Sequence, residues 1–244
     1  MNLNLTGKTA LVCGSTQGLG YASAVELALL GCNVVLFARN EESLKKALAS
    51  LPNNNQQHQY LVADFTDTSA VKTAIDAFVK NNTVHILVNN TGGPAGGPAL
   101  TAKPEEFLLA FNNHLINNHN LVQAVVPGMK AAGFGRIINV ISTSVKIPLA
   151  GLGVSNTIRG AVASWAKTLA TELGPWGITV NNVLPGFTKT SRADYVITKK
   201  AAEFSSQTLD VELGEYVGYQ FRGENSISNK TVLLYSTDGS IISM

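Results

Sequence analysis

The sequence predicts an α/β protein, a doubly wound parallel sheet with helices on both faces. Three observations carry that reading. Short β-branched runs recur along the chain and are apolar throughout rather than alternating, as strands covered on both sides must be. Helical stretches separate them, the order expected of crossover units in a parallel sheet. A glycine-rich stretch, Gly14–Gly20, stands where the first strand gives way to the first helix.

Lys8–Cys13 (KTALVC) is the first strand, and a helical pattern follows from Tyr21 to Leu30, closed by Gly31. Asn33–Ala38 (NVVLFA) is a second buried strand and Glu41–Leu51 a second, amphipathic helix. Gln59–Ala63, Val84–Asn89, Arg136–Ser142 and Ile178–Leu184 are further strands, with helices over Ser69–Lys80, Pro104–Ala132 and Ser155–Leu173 between them. Asn53–Gln57 (NNNQQ) is a polar connector. No repeat and no charged or proline-rich linker divides the chain, so a single domain over residues 1–244 is expected, its doubly wound part covering about 1–190. Past Ser191 the signal weakens to scattered aromatics and one apolar run, Val232–Tyr235.

Composition narrows the function. Of 244 residues, 45% are hydrophobic and only 14% charged, against roughly 25% charged in an average soluble domain, which excludes a disordered chain and suggests a surface partly covered by another subunit. A net charge of +2 is too weak to steer the chain onto nucleic acid. No apolar run reaches the roughly 18–20 residues of a membrane span. Met1–Leu5 lacks the blocks of a signal peptide, so the expected compartment is the cytoplasm. Cys13 and Cys32 sit in no metal-ligand or redox spacing and read as small buried apolar residues; no metal is expected.

Gly14-Ser15-Thr16-Gln17-Gly18-Leu19-Gly20 permits a tight turn, close approach to a phosphate and close helix–strand packing. The free N–H groups and dipole of the following helix favour a pyrophosphate. After the second strand, NAD-binding units commonly carry an acid for the ribose hydroxyls. This chain has Phe37-Ala38-Arg39-Asn40 there, and a planar cation at that point suits a 2′-phosphate. NADP(H) is therefore expected over NAD(H), the plain alternative for Arg39 being a solvated surface charge.

From Gly7 to about Thr190 the sequence resembles the short-chain dehydrogenase/reductase family, of Rossmann type. The markers are the glycine loop, Asp64 after the third strand, Asn89-Asn90-Thr91-Gly92 after the fourth, Gly135–Ser142 (GRIINVIS) and Gly177–Gly186 (GITVNNVLPG). The resemblance implies that Asp64 and Phe65 lie at the adenine, that Asn90, Thr91 and Gly92 line the cofactor ribose, that Pro185 and Gly186 cover the nicotinamide and that Thr188 touches its carboxamide. It also makes Ser142 the active-site serine.

The resemblance fails at the chemistry. The family uses a tyrosine and, four residues later, a lysine; the matching positions here are Ser155 and Arg159, and the family's relay asparagine matches His114. A serine hydroxyl is a far weaker acid than a phenol with its pKa of about 10. Arginine keeps its proton but can donate to ribose hydroxyls or pair with a substrate carboxylate. His114 is the one nearby residue type that titrates near neutrality. Three readings follow: a reductase in which Ser142 and Ser155 hold the carbonyl and His114 or water supplies the proton; a silent nucleotide-binding sensor or partner subunit; or a reductase with a tail tyrosine (Tyr195, Tyr216 or Tyr219) as donor. Plainer readings make His114 a packed helix residue and Ser155 a helix N-cap. His114 and His119 are five apart and face different ways, a poor metal pair.

Gly160–Leu173 is apolar or small nearly all round, and Phe107, Leu108, Phe111 and Leu115 give the preceding helix an apolar stripe. In the family such helices pair with their copies, so a homodimer or homotetramer acting on a small carbonyl or alcohol is expected. Residues 191–225 are expected to form a substrate lid. Val232–Met244 resembles the family's last helix and loop, without a recognisable final strand.

Overall fold

The computed structural model describes residues 3–186, residues 188, 190 and 198, and four short strands between 217 and 243. Two compact units divide the chain, Met1–Leu184 and Pro185–Met244.

The first unit holds six parallel strands: β1 (Thr9–Cys13), β2 (Asn33–Ala38), β3 (Gln59–Val62), β4 (Ile86–Asn89), β5 (Gly135–Val140) and β6 (Ile178–Val183). Their order across the sheet is β3-β2-β1-β4-β5-β6. The chain starts in the middle, winds outward to β3, then crosses back to β4, which leaves a crevice between the C-terminal ends of β1 and β4. Strand periodicity decides which helix covers which face. Ala10, Val12, Val34 and Leu36 pack under α1 (Gly18–Leu29) and α2 (Glu41–Ala49), while Leu11, Cys13, Val35 and Phe37 pack under α3 (Thr68–Val79) and α5 (Asn117–Ala131) on the other face. Both faces of β1 and β2 are fully buried, so these strands show no polar alternation. Burial pushes the Cys13 and Cys32 thiols up to about 12, leaving them as inert packing groups.

Boundaries differ from the sequence expectation by a few residues, with two consequential exceptions. The stretch 104–132 is not one regular helix: α4 (Pro104–Phe111) passes through a single π turn, Asn112–Ile116, into α5. One such turn inserts a residue and re-aims the side chains that follow. The helix α6 begins at Gly153, with Leu152 as its N-cap, so Ser155 lies inside the first turn and is not the cap. A Cβ at Gly153 would stand 2.3 Å from the Ala99 amide nitrogen, and Gly97 bonds both Gly151 and Gly153, so this helix start is clamped onto the loop after β4. No helix among the described residues is long and apolar enough to cross a membrane.

In the second unit the described strands are β7 (Val217–Phe221), β8 (Glu224–Ser226), β9 (Leu233–Tyr235) and β10 (Ile241–Ser243), ordered β10-β9-β7-β8. The apolar run read as a helix is therefore strand at Leu233–Tyr235, and Ile241–Ser243 pairs with it antiparallel as a further strand. The expected lid, 191–225, lies outside the described residues except for residue 198, β7 and the first residues of β8.

Candidate functional site

The C-terminal ends of β1, β2, β4 and β5 gather the residues that the sequence marks. Between β1 and α1 the glycine loop has no room for side chains at two points. A Cβ on Gly14 (φ +58°) would meet the Asn90 carbonyl oxygen at 2.5 Å, and one on Gly20 would meet the Gly14 carbonyl oxygen at 2.2 Å. The Asn90 side chain donates to the carbonyls of Cys13 and Gly14 at 3.2 and 3.3 Å, tying the loop to the end of β4. Ser15 is fully buried, and its hydroxyl accepts from the Phe37 amide at 2.9 Å, so it anchors the loop to β2 and leaves only its backbone for a ligand.

The loop delivers the start of α1 bare. Gln17 makes no side-chain cap and the first turn carries no acid, whereas α2 is capped by Asn40 and α3 by Asp67. An uncapped helix start holding unpaired N–H groups beside exposed Gly18 and half-buried Leu19 is built for an anion. Arg39, just beyond β2, is exposed and stands 3.9 Å from Asp64, beyond β3. A pair this open contributes little, so Arg39 can turn to another anion at small cost. Thr66 donates to the Asp64 carboxylate through its amide and hydroxyl, which, with Arg39 beside it, holds that carboxyl below its ordinary range. Phe65 sets its ring edge-on to Phe37 at 5.2 Å, and its carbonyl accepts from Asn117.

On the other side of the crevice, Asn90 is followed by Thr91 and the exposed Gly92 and Gly93. His114, in the π turn, is 2% exposed and hydrogen-bonded to the Thr91 hydroxyl through Nδ1 at 2.5 Å. Burial, and secondarily the charge of Arg159, push its pKa down to about 3. His114 is thus neutral at physiological pH, not the near-neutral acid its residue type suggests. Arg159, one turn beyond Ser155 on α6, is buried and donates through Nη1 to the Val140 carbonyl at 3.0 Å. Burial lowers its pKa to about 10, which leaves it a cation. Ser142 follows β5, half-buried, its hydroxyl accepting from the Ser144 amide at 3.1 Å. Half-buried Ser155 shares the helix face of Arg159. Pro185, Gly186 and Thr188 open the second unit, where the Thr188 hydroxyl donates to the Gly186 carbonyl at 3.4 Å.

Sequence reasoning missed one feature that shapes the site. Asn89, Asn139 and Asn182 are register partners across β4, β5 and β6, and their amides form a ladder: Asn89 Nδ2 donates to Asn139 Oδ1 at 2.8 Å, and Asn139 Nδ2 to Asn182 Oδ1 at 3.1 Å. Each rung lies one residue before the strand ends that carry Asn90, Val140 and Val183. Polar residues at equivalent places in otherwise apolar strands were the available signal.

Comparison with known proteins agrees with this arrangement. The short chain dehydrogenase family model matches residues 8–201. The chain is 34% identical over 219 residues to the granaticin polyketide synthase putative ketoacyl reductase 1 of Streptomyces violaceoruber, covering 85% of this chain and 80% of that one. It is 32% identical over 213 residues to the 3-oxoacyl-(acyl-carrier-protein) reductase FabG of Haemophilus influenzae, with 86% of each covered. The structure superposes on L-sorbose reductase from Gluconobacter frateurii, solved with NADPH and L-sorbose, at a TM-score of 0.77 and 29% identity, covering 85% of this chain and 78% of that one. The switch-point crevice, the bare helix behind a glycine loop and these matches together place the chain in the short chain dehydrogenase family of oxidoreductases.

Proposed function

We propose that this oxidoreductase uses NADP(H) to reduce a small carbonyl compound, or to oxidise the corresponding alcohol. The observation that carries the reading is Arg39, an accessible cation at the end of β2 where an NAD site would place an acid, beside a glycine loop that exposes an uncapped helix. The NADPH bound by the sorbose reductase, and the reductase names of the relatives, support it. In this reading Ser15, Gly18, Leu19 and Gly20 hold the pyrophosphate through backbone amides, and Gly14, whose own amide donates to the Phe37 carbonyl at 2.8 Å, makes the turn that presents them. Arg39 holds the 2′-phosphate, and Asp64 and Phe65 the adenine. Asn90, Thr91, Gly92 and Arg159 hold the ribose.

When bound, the reduced nicotinamide supplies the hydride. Ser155 and Arg159 stand in for the family's tyrosine and lysine. Ser142 and Ser155 donate hydrogen bonds to the carbonyl oxygen, and the Arg159 cation offsets the negative charge that develops there. Neutral His114, held by Thr91, does not supply the proton, which comes from water. Without a positioned acid the reaction runs about 10²–10⁴-fold below one that has it. We further read the protein as a cytoplasmic homo-oligomer. An open apolar groove of about 570 Å³ lies where α4 meets α6, with Leu108 64% exposed on its rim, and a second copy would cover it.

The test is NADPH oxidation, followed optically, against a panel of small ketones. We expect slow turnover that falls about 10²-fold or more in Ser142→Ala. NADPH binding without oxidation by any carbonyl would instead establish the silent sensor.

A further inference from the structure

Among the described residues no acid pairs with the buried guanidinium of Arg159. The residue is 9% exposed, and Nη1 bonds a neutral carbonyl, that of Val140. The ion pairs among the described residues join Arg39 to Asp64, Lys45 to Glu41 and Glu42, and Lys72 to Asp76; none reaches Arg159. His114 carries no charge at neutral pH, and burial is the only influence found on the Arg159 pKa. A lone buried ion is costly, and buried charges are normally paired. A guanidinium also has five N–H donors in a fixed fork, far more than one carbonyl can use.

The Nη2 edge of that fork lies toward Gly93. Nη2 would stand 3.8 Å from a Cβ on Gly93, a position that has none, and Gly92 and Gly93 are exposed. Beneath it, on the same helix face one turn earlier, is the Ser155 hydroxyl. A cation on the helix face of Ser155, with no acid paired to it among the described residues, is complementary to a carboxylate.

We infer that the substrate is a keto acid, or the corresponding hydroxy acid, whose carboxylate is taken by the Arg159 N–H groups that do not bond Val140, a role that replaces the ribose contact given above. This deepens the proposed function and rests on it for the carbonyl chemistry, but carboxylate capture is a binding property and can be read separately. Held this way, the carboxylate orients the neighbouring carbonyl toward Ser142 and Ser155. It also supplies a counter-charge that no described residue provides.

The experiment is calorimetric binding of 2-oxo and 3-oxo acids, each paired with its methyl ester, to the protein with and without NADPH. The expected result is that at least one acid binds tenfold or more tightly than its ester. That ratio should fall to about one in Arg159→Met and recover in part in Arg159→Lys. The unliganded Arg159→Met variant should melt at or above the wild-type temperature, because an uncompensated charge has been removed. Equal affinity for acid and ester in every pair would overturn the inference, as would an acid preference that survives in Arg159→Met. A marked fall in the Arg159→Met melting temperature without ligand would also overturn it, by showing that the charge serves the fold alone. If NADPH binds and neutral ketones are reduced with no acid preference, the keto-acid assignment falls and the reductase reading stands. If NADPH does not bind, acid capture is still decided on the unloaded protein.

Discussion

Single residues in this site do work that their type does not announce. Ser15 belongs to the glycine loop by position, yet its hydroxyl is spent on the Phe37 amide inside the protein. Ser15→Ala leaves that buried N–H without a partner, and a thermal or urea melt should show a loss of about 1–3 kcal/mol. Gly20→Ala places a methyl group 2.2 Å from the Gly14 carbonyl oxygen, which a packed loop cannot absorb without moving. That variant should lose about 1–3 kcal/mol of stability and bind NADPH more weakly in a titration. The glycine positions were legible in the sequence because the spacing itself encodes the turn. The state of His114 was not, since its pKa depends on a burial and a neighbouring cation that only the fold creates.

At the scale of elements, β1, β2 and β4 were legible because strands covered on both faces leave unbroken apolar signatures, whereas β5 and β6 alternate between more and less buried positions and β3 is partly exposed. What periodicity hid was irregularity. The π turn at Asn112–Ile116 interrupts no polar or apolar pattern strongly enough to be seen, yet it places His114 against Thr91. The same blindness moved the start of α6 from Ser155 to Gly153, because Gly153 and Val154 carry no cap signal. The helix and loop that the family resemblance implies over Val232–Met244 are strands at Leu233–Tyr235 and Ile241–Ser243, and so short an apolar run carries no period of its own to tell the two apart. The asparagine ladder argues for a mechanical coupling. Asn139→Ala removes the acceptor for Asn89 and the donor for Asn182 at once, in the sheet that presents Val140 to Arg159. We expect a loss of about 2 kcal/mol in stability together with reduced turnover. Full stability with full turnover would show that the ladder positions nothing.

For the whole molecule, buried His114 and half-buried His85 make stability depend on acid. His114 is pushed to about 3 and His85 below its ordinary 6.5, the latter by burial and the charge of Lys8. His85 also accepts the Thr9 amide on Nδ1, a bond that protonation removes. The unfolded chain therefore binds protons that the fold refuses, and stability falls as pH drops. The contribution is complete above about pH 6.5 and is lost progressively below it, toward about pH 3 for His114. His114 alone should account for about 2 kcal/mol lost by pH 5, and His114→Asn should flatten the melting temperature between pH 7 and pH 5.

We propose that the crevice between β1 and β4 binds NADP(H) and that Arg39 selects it over NAD(H). Calorimetric titration of the purified protein with NADPH and with NADH, in wild type and in Arg39→Ala, tests it most directly. The account predicts micromolar NADPH binding, NADH binding at least tenfold weaker, and a loss in Arg39→Ala confined to NADPH. Equal affinity for the two nucleotides, an NADPH affinity indifferent to Arg39, or no binding of either would contradict it.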